Sequence, residues 1–347
     1  MLIRQPLKTL GIPIDDSATS YHRVVQPLYF LREKYNAPIE FLGEREDQLE
    51  QYDWADALYI QCLYAPGAYQ FYADYKKQGK KIFLDFDDDY INIPEDSPEK
   101  TQVIDYKTGE THEFPAEMRT MFVKQFCQLA DVIVVTTESL KKLYSTVSKN
   151  VVVIPNCVTE DMFRDREKKK NETTKILWSG SASHLPDLAL IRQPLLDLKA
   201  KYGSKIEISL QGPLNFSEVF PDLDFVGYPS VPFDQYLNLI QDINPDIALG
   251  PLKANLFNAS KSNLKFLQMS IMEAAFVGSS CGPYLETIDD GIDGMLCSSD
   301  EDWVSKISKL IDTPALVNKL AQSAFKTVKA KYMLDHHLNR WQQALMR

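Results

Sequence analysis

Two rhythms of apolar and polar positions take turns along this chain. Short apolar runs at Ala57–Gln61, Lys81–Phe86, Asp131–Thr136 and Val151–Ile154 read as strands, with Pro38–Leu42 as a further short one. Between them, spacing near 3.6 predicts helices over Ser20–Tyr35, Ala68–Lys77, Pro115–Leu129 and Glu138–Ser145. Gly79 is placed to stop one helix and Pro115 to open another. Met1–Leu10 is weakly patterned, with room for a strand. Residues 92–114, dominated by Pro, Asp, Ser, Gly and Thr, read as a long loop, functional or mobile.

The charged run Arg164–Lys175, containing Lys168, Lys169 and Lys170, then breaks the pattern. It reads as a solvated linker over about residues 156–174. A second series follows: strand Lys175–Ser179, helix Pro186–Lys201, strands Ile206–Leu210 and Phe225–Gly227, helix Phe233–Asp242 and strand Asp246–Gly250. Asn258–Tyr284 reads as a capped helix start, a helix, a short strand and a turn. A small helix lies near Tyr284–Asp289, and the chain is mostly helical from Glu301. Such alternation predicts an α/β protein with parallel sheets flanked by helices. Two series without sequence repetition predict two Rossmann-like domains.

The segment from Asn258 carries the first chemistry. Lys261, Lys265 and Gln268 stand at i, i+4 and i+7 and so share one helical stripe beside an apolar stripe of Leu264, Leu267 and Ile271. Two lysines at a helix N-terminus suit a diphosphate, which suggests a nucleotide sugar.

Composition narrows the classes. At 347 residues, 44% hydrophobic and 25% charged, the chain is an ordinary globular protein with length for two domains. A net charge of −10 argues against nucleic-acid binding. There is no apolar run long enough to cross a membrane and no signal-peptide core, so a cytoplasmic location is expected. Five dispersed cysteines without metal-ligand spacing predict reduced, mostly buried thiols. The absence of G-x-G-x-x-G, P-loop and G-x-S-x-G motifs weakens dinucleotide, P-loop and hydrolase readings.

Four pieces, in order, resemble the GT-B glycosyltransferases, and within them the retaining GT4 group. They are Leu129–Leu140 followed by Val151–Asn156, Ile176–Ser181, the Asn258–Tyr284 segment, and Asp289–Leu296 with Trp303 and the terminal helices. The resemblance covers about residues 80–345. It implies a GT-B fold with an acceptor domain at 1–157, a nucleotide-sugar domain at 158–330 and a cleft between them. A last helix at 331–347 would return to the first domain. It also implies transfer of a sugar from a nucleotide-diphosphate donor to a glycan, lipid-linked or protein acceptor, with retention and without a bound metal or other cofactor.

The group's two glutamates, E-x7-E, align with Ser260 and Gln268, so both carboxylates are absent. Gln268 can still hydrogen-bond a ribose hydroxyl, without charge assistance. The basic pair expected after the first strand of the second domain is also absent. Gly180 and Ser181 are left to offer backbone N–H groups to phosphate, with Lys261 and Lys265 supplying the charge. Tyr284 and Glu286 fall where the group positions its donor. At the end of the strand Lys81–Phe86, where the group often has a histidine, Asp87 or Asp88 stands instead, to bind sugar hydroxyls or orient the acceptor. A D-x-D site for Mg²⁺ or Mn²⁺ belongs to a different fold and is not favoured. Tyr21 and Arg23 lie on the acceptor side, as ligands for an anionic acceptor or as a surface helix pair. His184 is a lesser cleft candidate. The lysine run is either solvated or drawn to a membrane surface.

Two other readings stay open. The acidic cluster suits a GT-B sugar-nucleotide epimerase. The missing carboxylates suit a degenerate transferase kept as a binding or scaffold protein.

Overall fold

The computed structural model describes residues 7–62, 68–93, 102–104, 111–113, 116–164, 166, 168–212 and 216–345. Two compact units emerge. The first comprises Met1–Asn156, Ser260–Ser262 and Leu334–Arg347; the second comprises Cys157–Ala259 and Asn263–Met333.

In the first unit the strands are β1 (Thr9–Ile12), β2 (Ile39–Phe41), β3 (Ala57–Gln61), β4 (Lys81–Phe86), β5 (Gln102–Ile104), β6 (Thr111–Glu113), β7 (Val132–Val135) and β8 (Val151–Val153). Six form a parallel sheet in the order β2-β1-β3-β4-β7-β8, and β5 and β6 pair as an antiparallel hairpin. Leu58, Ile60, Leu84, Phe86, Ile133 and Val135 join one hydrophobic core. The helix Leu334–Leu345 belongs to this unit, its Trp341 ring 5.8 Å from Tyr59.

The second unit adds β9 (Thr174–Ser179), β10 (Ile206–Gln211), β11 (Val226–Tyr228), β12 (Ile247–Gly250), β13 (Ala275–Ser279) and β14 (Met295–Cys297). They form a parallel sheet in the order β11-β10-β9-β12-β13-β14. The chain runs outward from β9 in one direction and then in the other, so a topological switch point lies between β9 and β12. Ligands of open α/β sheets bind at the carboxyl ends of such strands.

Several expectations need correction. Residues 92–114 are not wholly loop, since they contain the β5–β6 hairpin; 94–101, 105–110 and 114–115 lie outside the described residues, as do Met1–Pro6. The helix expected over Ser20–Tyr35 is three pieces: Ala18–Ser20, a π-helical turn Tyr21–Val25 and Gln26–Tyr35. Pro27 has no N–H to give the carbonyl of Arg23, and its ring crowds that turn; the N–H of Gln26 reaches back to Tyr21 instead. The helix expected over Pro186–Lys201 is similarly broken, with Pro194 in the first turn of Arg192–Tyr202.

The linker is not free in solvent. Arg166 donates to the carbonyl of Leu237 at 2.9 Å and to Gln241 Oε1 at 2.6 Å, and Asn171 binds Asn244 and Asp246. Lys168 donates to the carbonyl of Pro245, and burial lowers its ammonium to about 8. Of the three consecutive lysines, Lys169 and Lys170 are exposed and Lys168 is half-buried. Cys62, Cys127, Cys157 and Cys297 are buried thiols and Cys281 is half-buried. Among the described residues no helix is long and apolar enough to cross a membrane.

Candidate functional site

Strand β4 is buried along most of its length and delivers four carboxylates to one end of the first unit's sheet. They do four different things. Asp85 is fully buried and receives Arg23 Nε and Nη2, each at 2.8 Å. Tyr59 Oη also donates to it. Arg23 Nη1 donates to the carbonyl of Ile154 at 2.8 Å and to Asn156 Oδ1 at 3.3 Å, and the guanidinium lies 5.0 Å from the Trp341 ring centre. Arg23 is therefore not a surface residue. It is 0% exposed and ties four parts of the first unit together. Tyr21, in the π turn, is half-buried with its ring edge-on to His22.

Asp89 is a loop organiser: its carboxylate accepts from the N–H groups of Ile91 and Asn92 and from Asn92 Nδ2. Asp88 Oδ2 receives Lys261 Nζ at 2.7 Å. Asp87 differs from the other three. Its Oδ1 is shielded from solvent and has no hydrogen-bond partner. Burial, aided by the charges of Asp88 and Asp85, pushes its carboxyl from 3.8 up to about 7. Such a group exchanges a proton near neutrality, a property common at functional sites. Among the described residues no three His, Cys, Asp or Glu side chains gather as a metal site.

The expected stripe of Lys261, Lys265 and Gln268 does not form. The helix runs over Leu264–Ile271, so Lys261 precedes it. Ser260–Ser262 are held instead by the first unit: Thr137 Oγ1 donates to the carbonyl of Ser260 at 3.3 Å, and Asn156 Nδ2 to Ser262 Oγ at 3.0 Å. Helical spacing reports none of these distant partners. Within the helix, Phe266, Leu267, Gln268, Met269, Ser270 and Ile271 are all buried, so Gln268 is not an exposed helix position.

Lys265 lies in the first turn of that helix, with Nζ 5.0 Å from the centre of the Trp178 ring. Trp178 is the penultimate residue of β9, paired with Leu249 of β12, so Lys265 stands at the switch point. Gly180 does not offer a free N–H there. That group donates to the carbonyl of Gln211 at 3.1 Å, extending the β9–β10 ladder by one bond. Glycine is needed at this position because a Cβ would sit 2.7 Å from the Trp178 ring. Ser181 is exposed, its Oγ 2.9 Å from Ser183 Oγ. Tyr284 is 2% exposed and packs 5.0 Å from Phe276, so its side chain serves the core. Glu286 is exposed on the short helix Pro283–Thr287.

His184 Nδ1 meets Asp187 Oδ2 at 3.1 Å. Asp187 also accepts from the N–H of Lys253 at 2.8 Å and from Asn258 Nδ2 at 2.7 Å. Burial alone would raise its carboxyl, but these bonds hold it below its ordinary value. Asp187 thus fixes the segment after β12 that leads to Lys261. Asp187, in the short helix Leu185–Leu188, and Tyr59, in the middle of β3, carried no sequence signal for these roles.

No protein-family sequence model matches the chain, and no curated protein sequence matches it. Solved structures do. HepE from Anabaena, in complex with UDP-glucose, aligns over 98% of this chain and 99% of its own with a TM-score of 0.64 at 11% identity. A glycosyltransferase from Rickettsia africae aligns over 97% of each chain with a TM-score of 0.63 at 15% identity. TarM aligns over 83% of this chain with a TM-score of 0.61 at 11% identity; there the chain spans about half, 54%, of TarM's length. Together with the two six-stranded parallel sheets, these likenesses give the chain the GT-B fold.

Proposed function

We propose that the chain is a GT4-like glycosyltransferase. It would move a sugar from a nucleotide-diphosphate donor to an acceptor hydroxyl, with retention and without a metal. The observation that carries this reading is the end-to-end likeness to HepE, a protein solved with UDP-glucose, combined with a lysine at the switch point of the second unit. In this reading the second unit holds the donor. Lys265 neutralises charge that builds on the departing diphosphate, where a fixed cation lowers the barrier. Lys261 is paired with Asp88 in the first unit. Asp87 holds a sugar or acceptor hydroxyl, its carboxyl able to donate or accept near neutral pH. The leaving phosphate takes the acceptor's proton, so no side-chain nucleophile is assigned. The acceptor is a glycan, lipid-linked sugar or protein hydroxyl, and the enzyme works in the cytoplasm.

Calorimetric titration with UDP, GDP and their sugar conjugates tests donor binding. Saturable binding of one nucleotide series, tighter with the sugar attached, is expected. Binding of no nucleotide sugar would overturn the reading.

A further inference from the structure

At the amino ends of β12 and β13, the edge opposite the switch point, the second unit holds a small cavity. Lys168, Gln241 and Glu273 line it together with the apolar side chains of Ile240, Ile271 and Met272. Pro245 and Glu273 each stand two residues before a strand, so the cavity belongs to the turns that feed the sheet. Lys168, Gln241 and Glu273 are half-buried, and the cavity opens to solvent beside them. Ile240, Ile271 and Met272 are buried.

Two cations of the linker, Arg166 and Lys168, line this cavity, and they are used differently. The helix Phe233–Ile243 ends here, and a helix C-terminus draws positive charge. Arg166 meets that demand. It donates to the carbonyls of Met162 and Leu237 and to the side-chain oxygens of Asn238 and Gln241. Among the described residues Lys168 has one hydrogen-bond partner, the carbonyl of Pro245, and no carboxylate ion pair. Asp246 accepts instead from Asn171 Nδ2 and from the N–H of Lys175, each at 2.9 Å. Burial opposes the Lys168 ammonium, Asp246 and Glu273 favour it, and Lys175 opposes it; burial dominates and brings the group to about 8. At pH 7 about one such amine in ten is neutral, against about one in three thousand at the ordinary 10.5.

We infer that Lys168 is an acylation site: its amine takes a small acyl group from an activated acyl donor, and the acyl chain packs in the cavity against Ile240, Ile271 and Met272. The donor is an acyl phosphate or an acyl thioester. Neutral Nζ attacks the acyl carbon, a C–N bond forms as the bond to phosphate or thiolate breaks, and the leaving group carries off the amine's proton. The amide formed keeps one N–H for the carbonyl of Pro245. Gln241 gives its Oε1 to Arg166, which leaves its amide nitrogen to donate to the acyl oxygen. Acylation exchanges an ammonium without an anionic partner for a neutral amide, so it relieves the cost of burying charge.

The test treats the full chain with acetyl phosphate and, separately, with acetyl-coenzyme A at neutral pH, and follows each lysine by peptide mass spectrometry. Lys168 is expected to react about tenfold faster than the exposed Lys169 and Lys170, because its gain in neutral amine outweighs its lower basicity. Its rate should level off above about pH 8. Selective reaction with either donor supports the site and names the donor class. In urea the three lysines should react alike; selectivity that survives unfolding belongs to the local sequence and overturns the cavity's part in it. The acetylated protein should melt no lower than the unmodified one, and selective acetylation with a lowered melting temperature overturns the seat in the cavity. Lys168 reacting no faster than Lys169 and Lys170 with both donors overturns the site.

Discussion

Arg23 grips Asp85 through two parallel hydrogen bonds of 2.8 Å, with both side chains wholly removed from solvent. The fork geometry explains why arginine stands there, since a lysine ammonium cannot make the paired contact. Removing one member of such a pair strands a buried charge, typically at a cost of 3 to 5 kcal/mol, whereas an intact buried pair contributes little net stability. Arg23→Met is therefore expected to lower unfolding free energy by about 3–5 kcal/mol in urea titration. A loss below about 1 kcal/mol, the scale of an exposed pair, would show that the pair is not the anchor its burial implies.

Asp87 predicts a pH dependence of stability with a definite sign. Its carboxyl is raised from 3.8 to about 7 in the folded chain, chiefly by burial. Between those values the unfolded chain releases the proton first, so folding loses stability as pH rises through the window. Asp87→Asn should flatten that slope and be relatively more stable above about pH 7. Unfolding curves collected across the window check this. A wild-type slope of the opposite sign that disappears in the asparagine variant would rule out a raised pKa at Asp87.

Lys265 lies against Trp178 at the switch point of the second sheet. Lys265→Ala should weaken UDP binding by about ten- to a hundredfold, the worth of one charged hydrogen bond, while changing the melting temperature little. Unchanged affinity in calorimetry would remove Lys265 from the phosphate site.

Gly180 makes a packing prediction. A Cβ there would meet two atoms of the buried Trp178 indole at 2.7 and 3.0 Å. Gly180→Ala is expected to cost about 1–3 kcal/mol as overpacking, measured as a lower urea midpoint. A fully tolerated alanine would mean that glycine is kept at this position for another reason.

What the amino-acid pattern revealed depended on how local the cause was. Strand β3 was readable to its ends because Ala57–Gln61 is a continuous run buried on both faces of a parallel sheet. Helix Gln48–Trp54 was missed because its composition is mixed and largely exposed; its one signal was Asp47, whose carboxylate caps Leu49 and Glu50. Arg23 read as an acceptor-side ligand or a helix-surface residue, since nothing near it announces Asp85, its partner 62 positions away. Lys261 fitted a helical stripe by spacing, but Asp88, Thr137 and Asn156 hold its segment outside the helix. The β4 acids were visible as a cluster. Which of them lacked a partner was not, because Asp85 and Asp88 are satisfied by groups far away in sequence, Arg23 and Lys261, while Asp89 is satisfied by its own turn at Ile91 and Asn92.

Sugar transfer itself is tested most directly by NMR of the products formed from UDP- and GDP-sugars with a panel of glycan, lipid-linked and peptide acceptors. The predicted result is a new glycosidic bond with the donor's anomeric configuration, formed only when acceptor is present and undiminished by a metal chelator. Isomerised donor without acceptor, or nucleotide-sugar binding with no turnover across the panel, would contradict it.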